Sequence, residues 1–240
     1  MKPYHRLIAF VQEIRRHLLF LGAAVIGGTI LFYLISPQLF AAVQKHLNQP
    51  LVFYTVAEPF LAHVQLALSV NVFVLVPLFA VILWRSLAKP FQLSTKHIIN
   101  FTLFTCLLFY CGAGFCYFIT LPFGVDFLLS FGSEQLKPVI SVSKFVTFVT
   151  VFVLAFGLIF ELPICMVFLT KTGVATRQTF EKGRRYAILI ISIVAALLTP
   201  TPDIVNMMLM GGPLYLLYEL GIIIIKLLKP ETVLPEKDQY

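Results

Sequence analysis

The run FVTFVTVFVLAFGLIFELPICMVFLT, Phe145–Thr170, contains one charged residue, Glu161, and is bounded by Lys144 and Lys171. It exceeds the roughly 20 apolar residues a helix needs to cross a bilayer. A carboxylate near the centre of such a span costs roughly 3 kcal/mol on insertion scales, so an acid there is a functional candidate by default. The structural alternative for Glu161 is a protonated acid bonded to a hydroxyl or amide. Pro163 follows two residues later. It lacks a backbone donor and crowds the carbonyl of Ile159, so a bend is expected beside the acid.

The rest of the chain agrees with a membrane setting. It is 59% hydrophobic and 12% charged, with a mean hydropathy of +0.93, whereas soluble domains carry about 25% charged residues. A net charge of +7 would suit nucleic acid, but the basic residues collect at span ends, and no nucleic-acid partner is expected. Cys106, Cys111, Cys116 and Cys165 fall in apolar runs without a CxxC pair. They read as small apolar residues rather than disulfide or metal partners. Leu18–Ile35 follows four basic residues but lacks a small-x-small cleavage site, so it reads as a retained first helix.

Six spans emerge: His17–Ile35, Val64–Trp84, Ile98–Leu121, Phe145–Thr170, Ala187–Thr199 and Val205–Ile225. Lys2, Arg6, Arg15 and Arg16 precede the first. Arg85, Lys89 and Lys96 separate the second from the third. Lys171, Arg177, Lys182, Arg184 and Arg185 lie between the fourth and fifth, and Lys226, Lys229 and Lys237 follow the sixth. Of the 18 lysines and arginines, only Lys45, Lys137 and Lys144 fall on the other side. Basic loops stay cytoplasmic. The expected fold is therefore an all-α polytopic membrane protein with six transmembrane helices and both termini cytoplasmic. One domain covers 1–230, and 231–240 form a cytoplasmic tail. The last two helices are short. Ala187–Thr199 rises only about 20 Å, less than the ~30 Å hydrocarbon core. The sixth is expected to be interrupted at Gly211-Gly212-Pro213. A re-entrant hairpin would leave the same charge pattern. The outer segments Pro37–His63 and Pro122–Ser143 are equally compatible with a folded cap and with interfacial loops.

Catalytic signatures such as HExxH, GxSxG and a Walker loop are missing from the sequence, and no enzyme activity is expected. The histidines, His5, His17, His46, His63 and His97, lie in loops or at span ends. Ala23, Ala24, Gly27 and Gly28 form overlapping small-xxx-small pairs that let another helix approach closely. Glu219 lies seven residues before Lys226, about 10 Å along a helix, so a partly hydrated or paired acid explains it.

Several segments carry a resemblance in order and spacing: QEIRRHL at 12–18, VAEPF at 56–60, LLFYCGAGFCYF at 107–118, FGLIFELP at 156–163, LLTPTPD at 197–203 and PLYLLYELG at 213–221. Together they resemble TatC, the polytopic core subunit of the twin-arginine protein translocase, over nearly the whole chain. The resemblance implies a signal-peptide receptor that passes folded preproteins across the membrane with TatA- and TatB-type single-span partners. It implies the proton-motive force as the energy source, and no cofactor or metal. It also implies homo- and hetero-oligomers in the cell inner membrane, or in an organellar or thylakoid-type membrane. Carried over by position, Glu13, with Arg15 and Arg16, would receive the signal peptide. Glu161, Pro163 and Glu219 would form intramembrane polar or partner contacts. Pro200, Pro202 and Asp203 would shape the outer turn, and Glu58, Pro59 and Phe60 form the periplasmic loop motif.

The chain departs from the family pattern in places. Lys96 stands where the family carries a glutamate before the third helix. The outer turn reads TPTPD rather than TPPD. Met207, beside Asn206, takes the place of a polar glutamine. Among cytoplasmic acids before the tail only Glu13 and Glu181 remain. Glu181 is flanked by Lys182, Arg184 and Arg185, which are expected to occupy it. Two rival readings stand beside the translocase. One is a proton-coupled small-solute transporter using Glu161 as the relay. The other is a membrane scaffold whose acids only stabilise packing.

Overall fold

A computed structural model describes residues 3–44, 51–91, 94–130, 140–198 and 204–228. The chain divides into two compact units, Met1–Ala155 and Phe156–Tyr240. The described residues are almost entirely helical. Four helical stretches are long and apolar enough to cross a membrane: Glu58–Ala88, Thr95–Phe127, Val142–Lys171 and Met210–Leu228. A shorter apolar stretch covers Leu19–Leu34.

The first unit begins with α1 (Pro3–Leu34) and α2 (Ser36–Gln44), followed by α3 (Glu58–Phe91) and α4 (Thr95–Phe115). A π-helical turn, Cys116–Thr120, joins α4 to α5 (Leu121–Ser130), and α6 (Val142–Ile159) follows. Helices α1 and α3 run well past the apolar spans expected from hydropathy. Both start at or beside a proline, Pro3 and Pro59, where the missing N–H would have no intrahelical partner anyway. Hydropathy marks where a helix is apolar, not where its hydrogen-bond ladder ends.

Interhelical polar contacts hold this unit together. The Pro77 ring leaves the Phe73 carbonyl, one turn earlier, without its usual donor. The Tyr110 hydroxyl of α4 donates to that carbonyl at 2.9 Å, so α3 continues through the proline. Nearer the end of α3, buried Trp84 donates its indole N–H to Thr105 Oγ1 at 3.0 Å and stacks on Phe101 at 4.6 Å. Helices α3 and α6 run parallel along a polar seam. Gln65 donates to Thr147 Oγ1 at 2.9 Å and Ser69 to Thr150 Oγ1 at 3.1 Å.

Described parts of the segments 37–63 and 122–143 meet. β1 (Leu51–Val52) pairs in parallel with β2 (Ile140–Ser141). Beneath them Ala62, Leu66, Val142 and Val146 form a buried cluster, with Leu39, Phe40, Val43 and Leu51 packed against it. These contacts favour a folded cap over loose interfacial loops.

In the second unit α7 (Leu162–Lys171) follows a break at Phe160–Glu161 and ends at a left-handed Gly173, φ 69°. The Val174 N–H returns to the Leu169 carbonyl at 3.0 Å, a helix stop that glycine permits. Then come α8 (Arg177–Leu198) and α9 (Ile204–Leu228). Helix α9 is unbroken through Gly211-Gly212-Pro213, which corrects the expected interruption. A Cβ on Gly211 would stand 3.9 Å from both Ala195 and Ile191 of α8. Packing there supports the helix where propensity alone would not.

Candidate functional site

Four groups of residues singled out in the sequence have different structural settings. The first is the N-terminal motif. Glu13, Arg15 and Arg16 lie on the backbone of α1, with their side chains outside the described residues. Helical geometry places position 15 about 200° round the helix from position 13. Lys96 is exposed in the first turn of α4.

The VAEPF motif, 56–60, is a clamp. Glu58 opens α3 and is buried, 8% exposed. Its carboxylate accepts the Tyr54 N–H at 2.8 Å, the Ser143 N–H at 3.2 Å and the Ser141 hydroxyl. Ser143 lies in the first turn of α6, so the acid serves orphan donors of a second helix as well as facing its own N-terminus. Pro59 is half-buried. Phe60 is exposed and meets Tyr33 edge-on at 6.0 Å.

The intramembrane motif is a discontinuity. The Glu161 N–H bonds the Leu158 carbonyl at 3.2 Å, and the Cys165 N–H bonds the Glu161 carbonyl at 3.0 Å. The ladder therefore tightens for one step and restarts, with buried Pro163 in the first turn of α7. Glu161 itself is half-buried at the junction. The helix is interrupted where the bend was expected. The last motif of the sequence packs on this junction. A Cβ on Gly221 of α9 would stand 2.6 Å from Met166 Sδ and 3.4 Å from Pro163 Cα. A larger residue there would require Met166 to shift. The segments FGLIFELP and PLYLLYELG are thus brought together.

Glu219, two residues earlier, is paired. Arg184 of α8 donates Nε to Oε1 at 2.8 Å and Nη2 to Oε2 at 2.9 Å, and Tyr215 donates to Oε1 at 2.9 Å. The bond to Glu219 holds the Arg184 guanidinium pKa above its ordinary value. Tyr218 donates to the Phe180 carbonyl at 2.8 Å. These contacts tie the basic start of α8 to α9. Glu181 is held by Arg177 at 2.7 Å, one turn earlier, a partner outside the expected Lys182, Arg184 and Arg185. Pro200, Pro202 and Asp203 lie outside the described residues.

An open apolar groove of about 530 Å³ lies on α8 and α9. Ile188, Ile191, Met207, Met208 and Tyr215 line it, with Gly211 and Gly212 in its floor. Met207 contributes an apolar side chain to this lining. Among the described residues no His, Cys, Asp and Glu cluster could hold a metal.

Sequence reasoning missed the amides and hydroxyls that cross-link the spans: Gln65, Ser69, Asn71, Tyr110, Thr147 and Thr150. Each is a polar residue within an apolar run, and that was the available signal.

The family model for TatC, described as Sec-independent protein translocase protein, matches residues 9–213. A TatC of Carboxydothermus hydrogenoformans is 33% identical over 220 residues, covering 90% of each chain. A TatC of Helicobacter pylori strain J99 is 31% identical, covering 95% of this chain and 92% of its own. A crystal structure of the twin-arginine translocase receptor TatC in DDM superposes with a TM-score of 0.79 and 30% identity. It covers 90% of this chain and 98% of its own. These relatives give no support to small-solute transport. The chain belongs to the TatC family of Sec-independent protein translocase proteins and is a membrane component of protein translocation, not an enzyme.

Proposed function

We propose that this protein is the signal-peptide receptor and core subunit of a twin-arginine translocase. It exports folded proteins with TatA- and TatB-type single-span partners and the proton-motive force. The observation that carries this reading is the near full-length likeness to a TatC receptor structure, together with a helix α1 that extends beyond its apolar part to include the Glu13 motif. Arginine keeps its charge, and its planar fork suits a carboxylate. Glu181 and Glu219 are already engaged by Arg177 and Arg184, which supports Glu13 as the receiver, with Arg15 and Arg16 in the same motif. Glu161 and Pro163 form the intramembrane partner contact. Glu219 holds α8 against α9, and the groove beside it suits a single-span partner helix. Glu58, Pro59 and Phe60 organise the outer side, and Pro200, Pro202 and Asp203 form the outer turn.

The chain crosses the cell inner membrane six times as one domain, 1–230, with the tail 231–240 and both termini cytoplasmic, and it works in homo- and hetero-oligomers. Capture of a twin-arginine signal peptide against its twin-lysine version tests the receptor role. Binding to the first only is expected, and Glu13→Lys abolishes it while the protein still inserts. Equal capture of both peptides would remove the receptor reading. Labelling of single cysteines at Gln49 and Gln135 from outside, and at Gln92 and Gln178 only from inside, tests the topology. Outside labelling at position 178 would sink the six-span arrangement.

A further inference from the structure

Asn71 is the most deeply buried amide in the apolar part of α3, 2% exposed. Its Nδ2 donates to the Val25 carbonyl at 2.7 Å and to Thr29 Oγ1 at 3.2 Å, both on α1. Thr29 also donates to the Val25 carbonyl, at 2.7 Å. One α1 carbonyl thus serves its own helix and α3 together. The amide reaches it because residue 28 is glycine. A Cβ there would collide with the Asn71 amide, standing 2.7 Å from Cγ and 2.9 Å from Nδ2. Gly22 and Gly27, by contrast, have open space where a Cβ would go. Of these three α1 glycines, only Gly28 is held by a neighbour.

Apolar packing between two membrane helices is weakly directional, because lipid tails are as apolar as the side chains they replace. A hydrogen-bonded amide seated on a glycine is directional. It admits one rotation and one axial position of α1 against α3. Helix α1 is continuous from Pro3 to Leu34, so its setting at residues 25–29 is carried to Glu13, about 22 Å away along the axis. We propose that Asn71 is a positioning residue. Seated on Gly28, it fixes the register and rotation of α1 and thereby places the Glu13 motif. The placement of the motif matters for function only if the receptor reading above holds, whereas the lock itself does not depend on that reading.

The test uses the full-length protein in lipid bilayers. The four native cysteines are replaced and spin labels are placed at the exposed positions Leu19 of α1 and Leu83 of α3. Pulsed electron resonance then reads the α1–α3 distance distribution, and crosslinking of a twin-arginine peptide is measured on the same variants. Gly28→Ala is expected to displace the mean distance, and Asn71→Ala to broaden the distribution around an unchanged mean. The double variant should match Asn71→Ala, because the collision is gone. Peptide crosslinking should fall about three- to fifteen-fold in each single variant, the range set by one interhelical polar contact, and no further in the double. Unchanged distances in both single variants overturn the lock. A double variant displaced as far as Gly28→Ala overturns it too. Altered distances with unchanged crosslinking overturn the positioning role. If Gly28→Ala fails to insert, the double variant is expected to insert, and its failure refutes the collision. If Glu13→Lys still binds the peptide, the receptor reading fails while the distances continue to decide the lock.

Discussion

Pro77 and Pro163 occupy similar settings, each inside an apolar stretch long enough to cross a membrane, and the chain answers them differently. At Pro77 the helix runs on, because Tyr110 donates to the carbonyl that the proline leaves unserved. At Pro163 the ladder stops at Ile159, tightens by one residue through Glu161 and restarts as α7. Proline by itself removes one donor and crowds one carbonyl. Whether a helix breaks depends on what neighbouring helices offer to the freed group. The first site is repaired by a tyrosine from the next helix. The second is left as a discontinuity, and the one acid of the span sits in it. Irregular backbone at membrane depth is tolerated where protein or a polar cavity shelters it, and we propose a functional role for the second proline on that ground.

The largest effects are expected there. Glu161→Ala should leave insertion and abundance near normal, since it removes a desolvation penalty rather than a packing unit. Export of a folded twin-arginine reporter should drop about tenfold or more, the upper part of the range for a residue that couples sites. Glu161→Gln keeps shape and hydrogen bonding without ionisation. Activity in Gln but not in Ala identifies polar recognition, and loss in both identifies ionisation. Full export by both variants would make the two prolines functionally equivalent and end the contrast. Pro163→Ala tests the backbone side of it. A closed helix, read as increased amide-exchange protection at residues 160–162, should accompany reduced export. Protection without loss of export would show that the break is incidental.

A smaller effect is expected at Gly221. Alanine there meets Met166 Sδ at 2.6 Å and the Pro163 backbone at 3.4 Å. Methionine is flexible enough to yield part of that space. The overpacking should still destabilise by about 1–2 kcal/mol, measured as a lower unfolding midpoint in micelles. Gly212, with open space around it, is the control, and Gly212→Ala should be near neutral. Equal effects at both glycines would remove the close approach of α9 to the junction.

The contrast also separates what was legible in the sequence from what was not. The helices, the interruption beside Pro163 and the place of Glu161 as the one charge in its apolar run followed from hydropathy and proline stereochemistry, which are local. Glu58 was legible only as part of a motif. Its three donors come from Tyr54, Ser141 and Ser143, and the last two belong to a segment more than eighty positions away. The interruption expected at Gly211-Gly212-Pro213 was wrong for the same reason that Pro77 does not break α3. Tertiary contacts outweigh local propensity. Asn71 was visible as an amide in an apolar run, but its seat on Gly28 required knowing which helix packs beside it.

The smallest effect is the most discriminating. Tyr110→Phe removes one hydroxyl and should destabilise by about 0.6 kcal/mol, the mean for an interhelical hydrogen bond in a membrane protein. A loss of that size has many explanations taken alone. Pro77→Ala supplies the missing N–H and lets the Phe73 carbonyl bond within its own helix. In that background the tyrosine hydroxyl has nothing left to repair, and Tyr110→Phe should be neutral. The double-mutant cycle therefore isolates the repair from the rest of the tyrosine's packing, including its edge contact with Phe109 at 5.8 Å. A Tyr110→Phe penalty that persists in the Pro77→Ala background would show that the hydroxyl serves something other than the proline. The continuity of α3 would then need another cause.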